Sequence, residues 1–274
     1  MHQNKLKTKR EQDEKVNGGK KGLVLGVANE HSIAWAISKR LAEEGAEIAF
    51  NYQNEKTASH VIPLFQSIDS PFYERMDLTD PNQVTEVLEK LKQQFNGELD
   101  FIVHAVAGGP HKGELSGKYM EVSLDGFVQS MVISVYSLTD IVKRTFKMME
   151  GRNASILTLS YYGSEKVVKN YNVMGVAKAA LESSVRYLAA DLGEFSIRVN
   201  ALSPGTVKTR AASGIGGFDS LYEYTSQHSP LKHNASLEEI ANSSLFLLSN
   251  LSSGITGQTI YVDAGYSIIG NTHE

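Results

Sequence analysis

The sequence predicts an α/β protein, a single-domain doubly wound parallel sheet with helices on both faces. Short apolar runs alternate regularly with longer amphipathic stretches from residue 22 to residue 262, as strand–helix–strand crossovers do. No linker or internal repeat interrupts the alternation, and 274 residues suffice for one large domain with a buried core.

In order, residues 22–26 (Gly-Leu-Val-Leu-Gly) read as a buried strand that breaks on a glycine. Ser32 is expected to cap a helix whose Ile33, Ala34, Ile37 and Leu41 face inward and which Gly45 closes. Residues 47–52 form a second strand, 56–67 a helix and 72–76 a third strand. A third helix covers 81–95, with proline in its first turn, and a fourth strand covers 100–105. Gly108, Gly109 and Gly113 open the loop that follows. A long helical pattern runs through 124–149, then a strand at 154–159 and a helix at 173–192. A sixth strand at 198–202, a glycine-bearing loop at 206–218, a helix at 237–248 and a last strand at 259–262 complete the pattern. Such sheets bind ligands at the carboxyl ends of their strands, where Gly26, Val106, Tyr161 and Ser203 lie.

Composition excludes several classes. A net charge of −4 gives no sign of a nucleic-acid or anionic-membrane partner. No apolar run approaches the ~20 residues of a membrane span. With no cysteine there is no disulfide or thiol chemistry, which fits a reducing compartment, and we expect a cytoplasmic location. Residues 1–21 are polar and lack an apolar leader core, so they are read as a disordered tail ahead of a domain at 22–274. A surface-binding arm is the alternative for the tail. No His/Asp/Glu cluster has metal-ligand spacing. His104 reads as a core histidine, His31 as exposed, and the carboxylates mostly as solvated helix faces.

The turn Gly26-Val-Ala-Asn-Glu-His-Ser32-Ile33-Ala34 puts small residues before a helix N-terminus, a natural site for a pyrophosphate. Only one of the three usual glycines is present, so an ordinary strand–helix turn remains open. The second strand ends Tyr52-Gln53, where an acidic residue usually takes the adenosine ribose. Gln53 is neutral and no arginine follows at once, which favours NADH over NADPH. Asp77, after the third strand, suits an adenine contact, or else Asp77 or Thr79 caps the next helix.

The stretch from Ser160 to Lys178 carries the chemistry. Tyr161 ends a strand, Tyr171 opens a helix and Lys178 lies seven positions on. Seven steps of ~100° return to nearly the same face, roughly 10 Å along the axis. The common short-chain dehydrogenases carry Tyr-x3-Lys on this helix and a serine thirteen positions before the tyrosine. Counting from Lys178 puts Met174 at that tyrosine and Tyr161 at that serine, which argues against simple carbonyl reduction. Tyr162 and Lys166 do form Tyr-x3-Lys, but in a loop and without the serine. Taken alone, Tyr161 could be a core tyrosine with a satisfied hydroxyl. A lysine amid Val176, Ala177, Ala179, Ala180 and Leu181 needs a partner.

Tyr161-x9-Tyr171-x6-Lys178 resembles the enoyl-[acyl-carrier-protein] reductases of bacterial fatty-acid elongation, a divergent branch of the short-chain dehydrogenases. The likeness covers nearly the whole chain after residue 21. Its most specific piece is Asn170-Tyr-Asn-Val-Met-Gly-Val-Ala-Lys178, supported by Gly26-Val-Ala, Ser32-Ile-Ala and Tyr52-Gln53. The chain departs from the pattern at Ala107, Gly108-Gly109, Lys169 and Ser203-Pro-Gly-Thr-Val207. The resemblance implies a Rossmann-like homotetramer that uses NADH to reduce a trans-2-enoyl thioester of acyl-carrier protein. By it, Gly26, Ser32, Ile33, Gln53, Asp77, Leu78, Val106, Lys178, Val207, Lys208, Thr209, Arg210 and Ala211 would bind the dinucleotide. Tyr161 and Tyr171 would be catalytic with Lys178, and Gly109 would lie against the substrate beside the two tyrosines. Tyr171 would hydrogen-bond the thioester oxygen, and Lys178 would hold the ribose and lower the tyrosine pKa. A carbonyl reductase and a non-catalytic dinucleotide-binding regulator are the competing readings.

Overall fold

Seven strands form one wholly parallel sheet: β1 (Lys21–Leu25), β2 (Glu47–Tyr52), β3 (Phe72–Arg75), β4 (Phe101–His104), β5 (Ser155–Leu159), β6 (Arg198–Pro204) and β7 (Thr259–Val262). Their spatial order is β3-β2-β1-β4-β5-β6-β7. This computed structural model describes residues 15–111, 113–209, 212 and 216–270.

Alternate residues of each strand point to opposite faces, and each face has its own core. Leu23, Leu25, Ile102 and Ile156 meet α3 (Pro81–Gln94), α5 (Ser137–Met149) and α6 (Val173–Leu192). Val24, Phe101, Val103 and Leu157 meet α1 (Ile33–Glu43), α2 (Glu55–Ser67) and α8 (Leu237–Leu248). Burial on both sides explains why the strands read as unbroken apolar runs. The chain winds outward from β1 to β3 and returns to β4, so a crevice opens between the ends of β1 and β4.

Four expectations are corrected. The boundary between residues 21 and 22 falls inside the fold. Asn17 is fully buried; its N–H donates to the Glu44 carbonyl (3.3 Å), and the Gly19 N–H donates to the Gly45 carbonyl (3.0 Å). Lys21 already pairs with Glu47 in the sheet. Backbone hydrogen bonds hold this segment, so apolar patterning does not reveal it. The expected tail otherwise falls on residues 1–14, outside those described.

The helix expected at 124–149 is interrupted: α4 (Leu124–Met131) passes through a π-helical turn, Val132–Tyr136, into α5. An unexpected helix, α7 (Phe218–His228), follows the 206–218 loop. Its buried side chain is Thr225, so it has almost no apolar stripe to read. Finally, Asp80 caps α3, accepting from the N–H groups of Asn82 (2.9 Å) and Gln83 (3.2 Å). Asp77 instead closes a short turn onto Thr79.

Candidate active site

The loops after β1, β4, β5 and β6 enclose a cleft of about 370 Å³ at the carboxyl edge of the sheet. Gly26, Ser32, Ile33, Val106, Tyr161, Tyr171, Lys178, Val207 and Thr209 line it, so most of the expected site residues converge.

Gly26 has φ +97°, and a Cβ there would sit 2.2 Å from the Ala105 carbonyl oxygen. The turn therefore needs glycine both for its dihedral and for its approach to the end of β4. Ser32 occupies the N-cap position of α1 but makes no side-chain cap. Its hydroxyl reaches back to accept from the N–H groups of Ala28 and Asn29, both at 3.0 Å. This corrects the expected cap. The first N–H groups of α1, at Ile33 and Ala34, are left for a ligand at the positive end of the helix. An open backbone cradle and an uncapped helix start suit a pyrophosphate.

Lys178 is buried, 4 % exposed, and donates to the Leu159 carbonyl at 2.7 Å. Desolvation pushes its pKa down to about 8, against the opposing attraction of Glu182. Tyr161 and Tyr171 meet edge to face, with ring centroids 4.9 Å apart and planes at 66°. Burial first, and then the Tyr161 phenol, hold the Tyr171 hydroxyl well above the usual tyrosine pKa. The expected depression of that pKa by Lys178 is absent, because desolvation dominates and keeps the phenol neutral. Burial also raises Tyr161, with the Thr206 side chain pulling the other way.

Two asparagines flank Tyr171, both with positive φ, Asn170 at 63° and Asn172 at 40°. The Asn170 amide donates to the Gly216 carbonyl at 2.6 Å. The Asn172 amide reaches the carbonyls of Glu114 (3.0 Å), Leu115 (3.2 Å) and Gly117 (2.8 Å). Sequence reasoning quoted these asparagines but gave them no role; their exchange of local turns for distant carbonyls is visible only in three dimensions. Ser134, on the π turn, both donates to the Gly108 carbonyl and accepts from its N–H, at 3.0 Å each.

Other expected residues sit elsewhere. Gly109 turns its α-carbon onto α4, where a Cβ would meet the Gln129 and Ser130 backbone at 2.4 Å. Gly108 and Pro110 line the cleft there instead. Exposed Gln53 follows β2, and Asp77 and Leu78 follow β3, outside the deep cleft. Lys208 lies over the Tyr222 ring, 4.4 Å from its centroid. Arg210 and Ala211 fall outside the described residues. Tyr162 packs its ring on Tyr266, away from the cleft, and Lys166 is exposed. His104 is a core residue between Thr158 (3.1 Å) and Ser137 (2.8 Å), its pKa lowered by burial to about 3. His31 is exposed, as expected. Among the described residues there is no metal-holding cluster and no helix long and apolar enough to cross a membrane.

A glycine turn before an uncapped helix start, a buried lysine and paired phenols, gathered in one cleft at the carboxyl edge of a parallel sheet, fit a nicotinamide-dependent oxidoreductase of the short-chain dehydrogenase kind. Comparison with known proteins narrows the class. A family model described as "Enoyl-(Acyl carrier protein) reductase" matches residues 26–267, and the chain belongs to that family. It is 50% identical over 252 residues to enoyl-[acyl-carrier-protein] reductase [NADH] 1 of Rhizobium meliloti, covering 92% of each chain. It is 45% identical over 253 residues to the NADH enzyme of Rickettsia felis, covering 92% of this chain and 96% of that one. The crystal structure of the Aquifex aeolicus enzyme superposes with a TM-score of 0.90 at 42% identity, over 94% of this chain and 100% of that one. The Anaplasma phagocytophilum enzyme, solved with NAD, gives 0.90 at 45%, over 95% and 98%.

Proposed function

We propose a division of labour within this cleft. The reaction is the NADH-dependent reduction of the C2=C3 double bond of a trans-2-enoyl-[acyl-carrier-protein], the last step of the fatty-acid elongation cycle. When bound, NADH supplies the hydride that C3 accepts. The Gly26 turn and the Ile33 and Ala34 N–H groups receive its pyrophosphate. Lys178 binds the nicotinamide ribose as an ammonium, and Gln53 takes the adenosine ribose, which favours NADH over NADPH. The neutral Tyr171 phenol donates to the thioester oxygen as negative charge develops there, so the bond strengthens toward the transition state. To Tyr161 we assign the acyl side of the cleft, the bracing of Tyr171 and proton delivery to C2.

The observation that carries this reading is the edge-to-face pair of Tyr161 and Tyr171 lining the same cleft as buried Lys178. Carbonyl reduction is disfavoured because buried, hydroxyl-free Met174 holds the position four before Lys178. An acyl-carrier thioester substrate, a homotetramer and a cytoplasmic location complete the proposal. The test follows NADH oxidation with a crotonyl thioester and with a 3-oxoacyl thioester. Turnover of the first and not the second is expected. Preference for the 3-oxoacyl compound, or no turnover of either, overturns the reading.

A further inference from the structure

Glu182 is a buried carboxylate on the same helix as Lys178, and the reaction as assigned gives it no role. It lies one helical turn beyond Lys178 on α6 and is only 8 % exposed. Two residues at the carboxyl end of β5 meet this face of α6. The Leu159 carbonyl accepts from the Lys178 ammonium at 2.7 Å, and the Ser160 hydroxyl donates to the Glu182 carboxylate. Ser160 is itself buried, 4 % exposed, and immediately precedes Tyr161. The strand end that carries Tyr161 is thus fastened to the helix that carries Lys178 at two points, one per turn.

We propose that Glu182 is a positioning residue: through Ser160 it fixes Tyr161 against α6, and its negative charge keeps Lys178 an ammonium. The inference rests on the reading that Lys178 binds the nicotinamide ribose. Burying a lone ammonium is costly, and a carboxylate one turn away offsets part of that cost without occupying the ligand-facing end of the lysine.

The titratable groups around the pair leave Glu182 as its negative partner. His104 faces it from β4 as a neutral imidazole. Tyr161 and Tyr171 line the same cleft as neutral phenols. Tyr261 approaches from β7, its phenol raised by burial first and then by Glu165, Glu182 and Asp263. On α6 itself, Arg186 is exposed and forms no ion pair with Glu182 among the described residues.

The experiment replaces the charge but not the shape. Glu182→Gln keeps an oxygen acceptor for Ser160. NADH affinity by nucleotide fluorescence, and kcat/KM with a crotonyl thioester, are followed from roughly pH 6 to 10. The alkaline limb, where Lys178 loses its proton, is expected to lie about one pH unit lower than in the parent. Affinity at the alkaline end should fall about fivefold or more and match the parent at the acid end. A folded Glu182→Gln protein with a pH profile superimposable on the parent's overturns the proposal. Should that variant fail to fold, Glu182→Asp moves the charge back by one methylene: a smaller downward shift of the limb supports the proposal, and an unmoved limb overturns it. Lys178→Ala separates the two levels. If it binds NADH as the parent does, the ribose assignment itself fails. If it weakens binding while the Glu182 profiles stay put, only the role of Glu182 fails.

Discussion

Burial moves the pKa values of Tyr171 and Lys178 in opposite directions, favouring the uncharged form of each. Desolvation, then Tyr161, lifts the Tyr171 phenol, so it stays neutral, as the proposed donor role requires. Tyr171→Phe should keep NADH affinity and lose on the order of 10²–10³ in kcat with a crotonyl thioester, as removal of one oxyanion donor does. Wild-type turnover would remove Tyr171 from the mechanism. For Lys178, desolvation depresses the pKa to about 8 from 10.5. Between those values the unfolded chain holds a proton that the native chain has lost. The destabilisation is therefore complete below pH 8 and fades as pH rises toward 10.5. Lys178→Met should accordingly unfold at a higher temperature at neutral pH, the relieved penalty being about 3 kcal/mol, while NADH binding is lost. Calorimetry across pH checks the sign: the gain must shrink as the buffer becomes alkaline.

The elements around Tyr171 decide where its ring sits. The helix α6 begins at Val173, and the two residues flanking Tyr171 adopt positive φ so that their amides can reach separate loops. Asn172→Ala removes the clamp on the 114–117 carbonyls. It should raise KM for the enoyl thioester several-fold while NADH affinity, measured by fluorescence, holds. Gly163 sits against the same ring, where a Cβ would lie 2.5 Å from Tyr171 Cδ1. Gly163→Ala should displace the phenol and lower kcat on the order of 10–100-fold; an unchanged kcat would mean the ring position is not critical.

At the scale of the molecule, several large apolar side chains remain exposed on the helices that cover β4 and β5. Leu124 is 80% exposed, Val128 46%, Tyr136 58% and Tyr187 74%. Apolar surface that the sheet does not cover favours an assembly of copies. Leu124→Glu combined with Tyr187→Glu should lower the mass measured by light scattering from the parent's. A parent that is monomeric at working concentration would sink the tetramer.

The positions of the strands, the span of α6 and the spacing of Tyr161, Tyr171 and Lys178 were legible because each depends on local periodicity. Apolar runs mark strands covered on both faces, and seven residues fix helical phase wherever the helix sits. The sequence could not show that Ser32 folds back instead of capping, that Asp80 rather than Asp77 starts α3, or that Gly109 belongs to α4 packing. Nor could it separate Glu182, read with the solvated carboxylates, from the exposed ones on other helices. Those outcomes turn on which distant backbone or side chain arrives at a given residue. Leu159 and Ser160 reach Lys178 and Glu182 only when β5 and α6 dock, and desolvation, which sets the charge states of this site, exists only after they have.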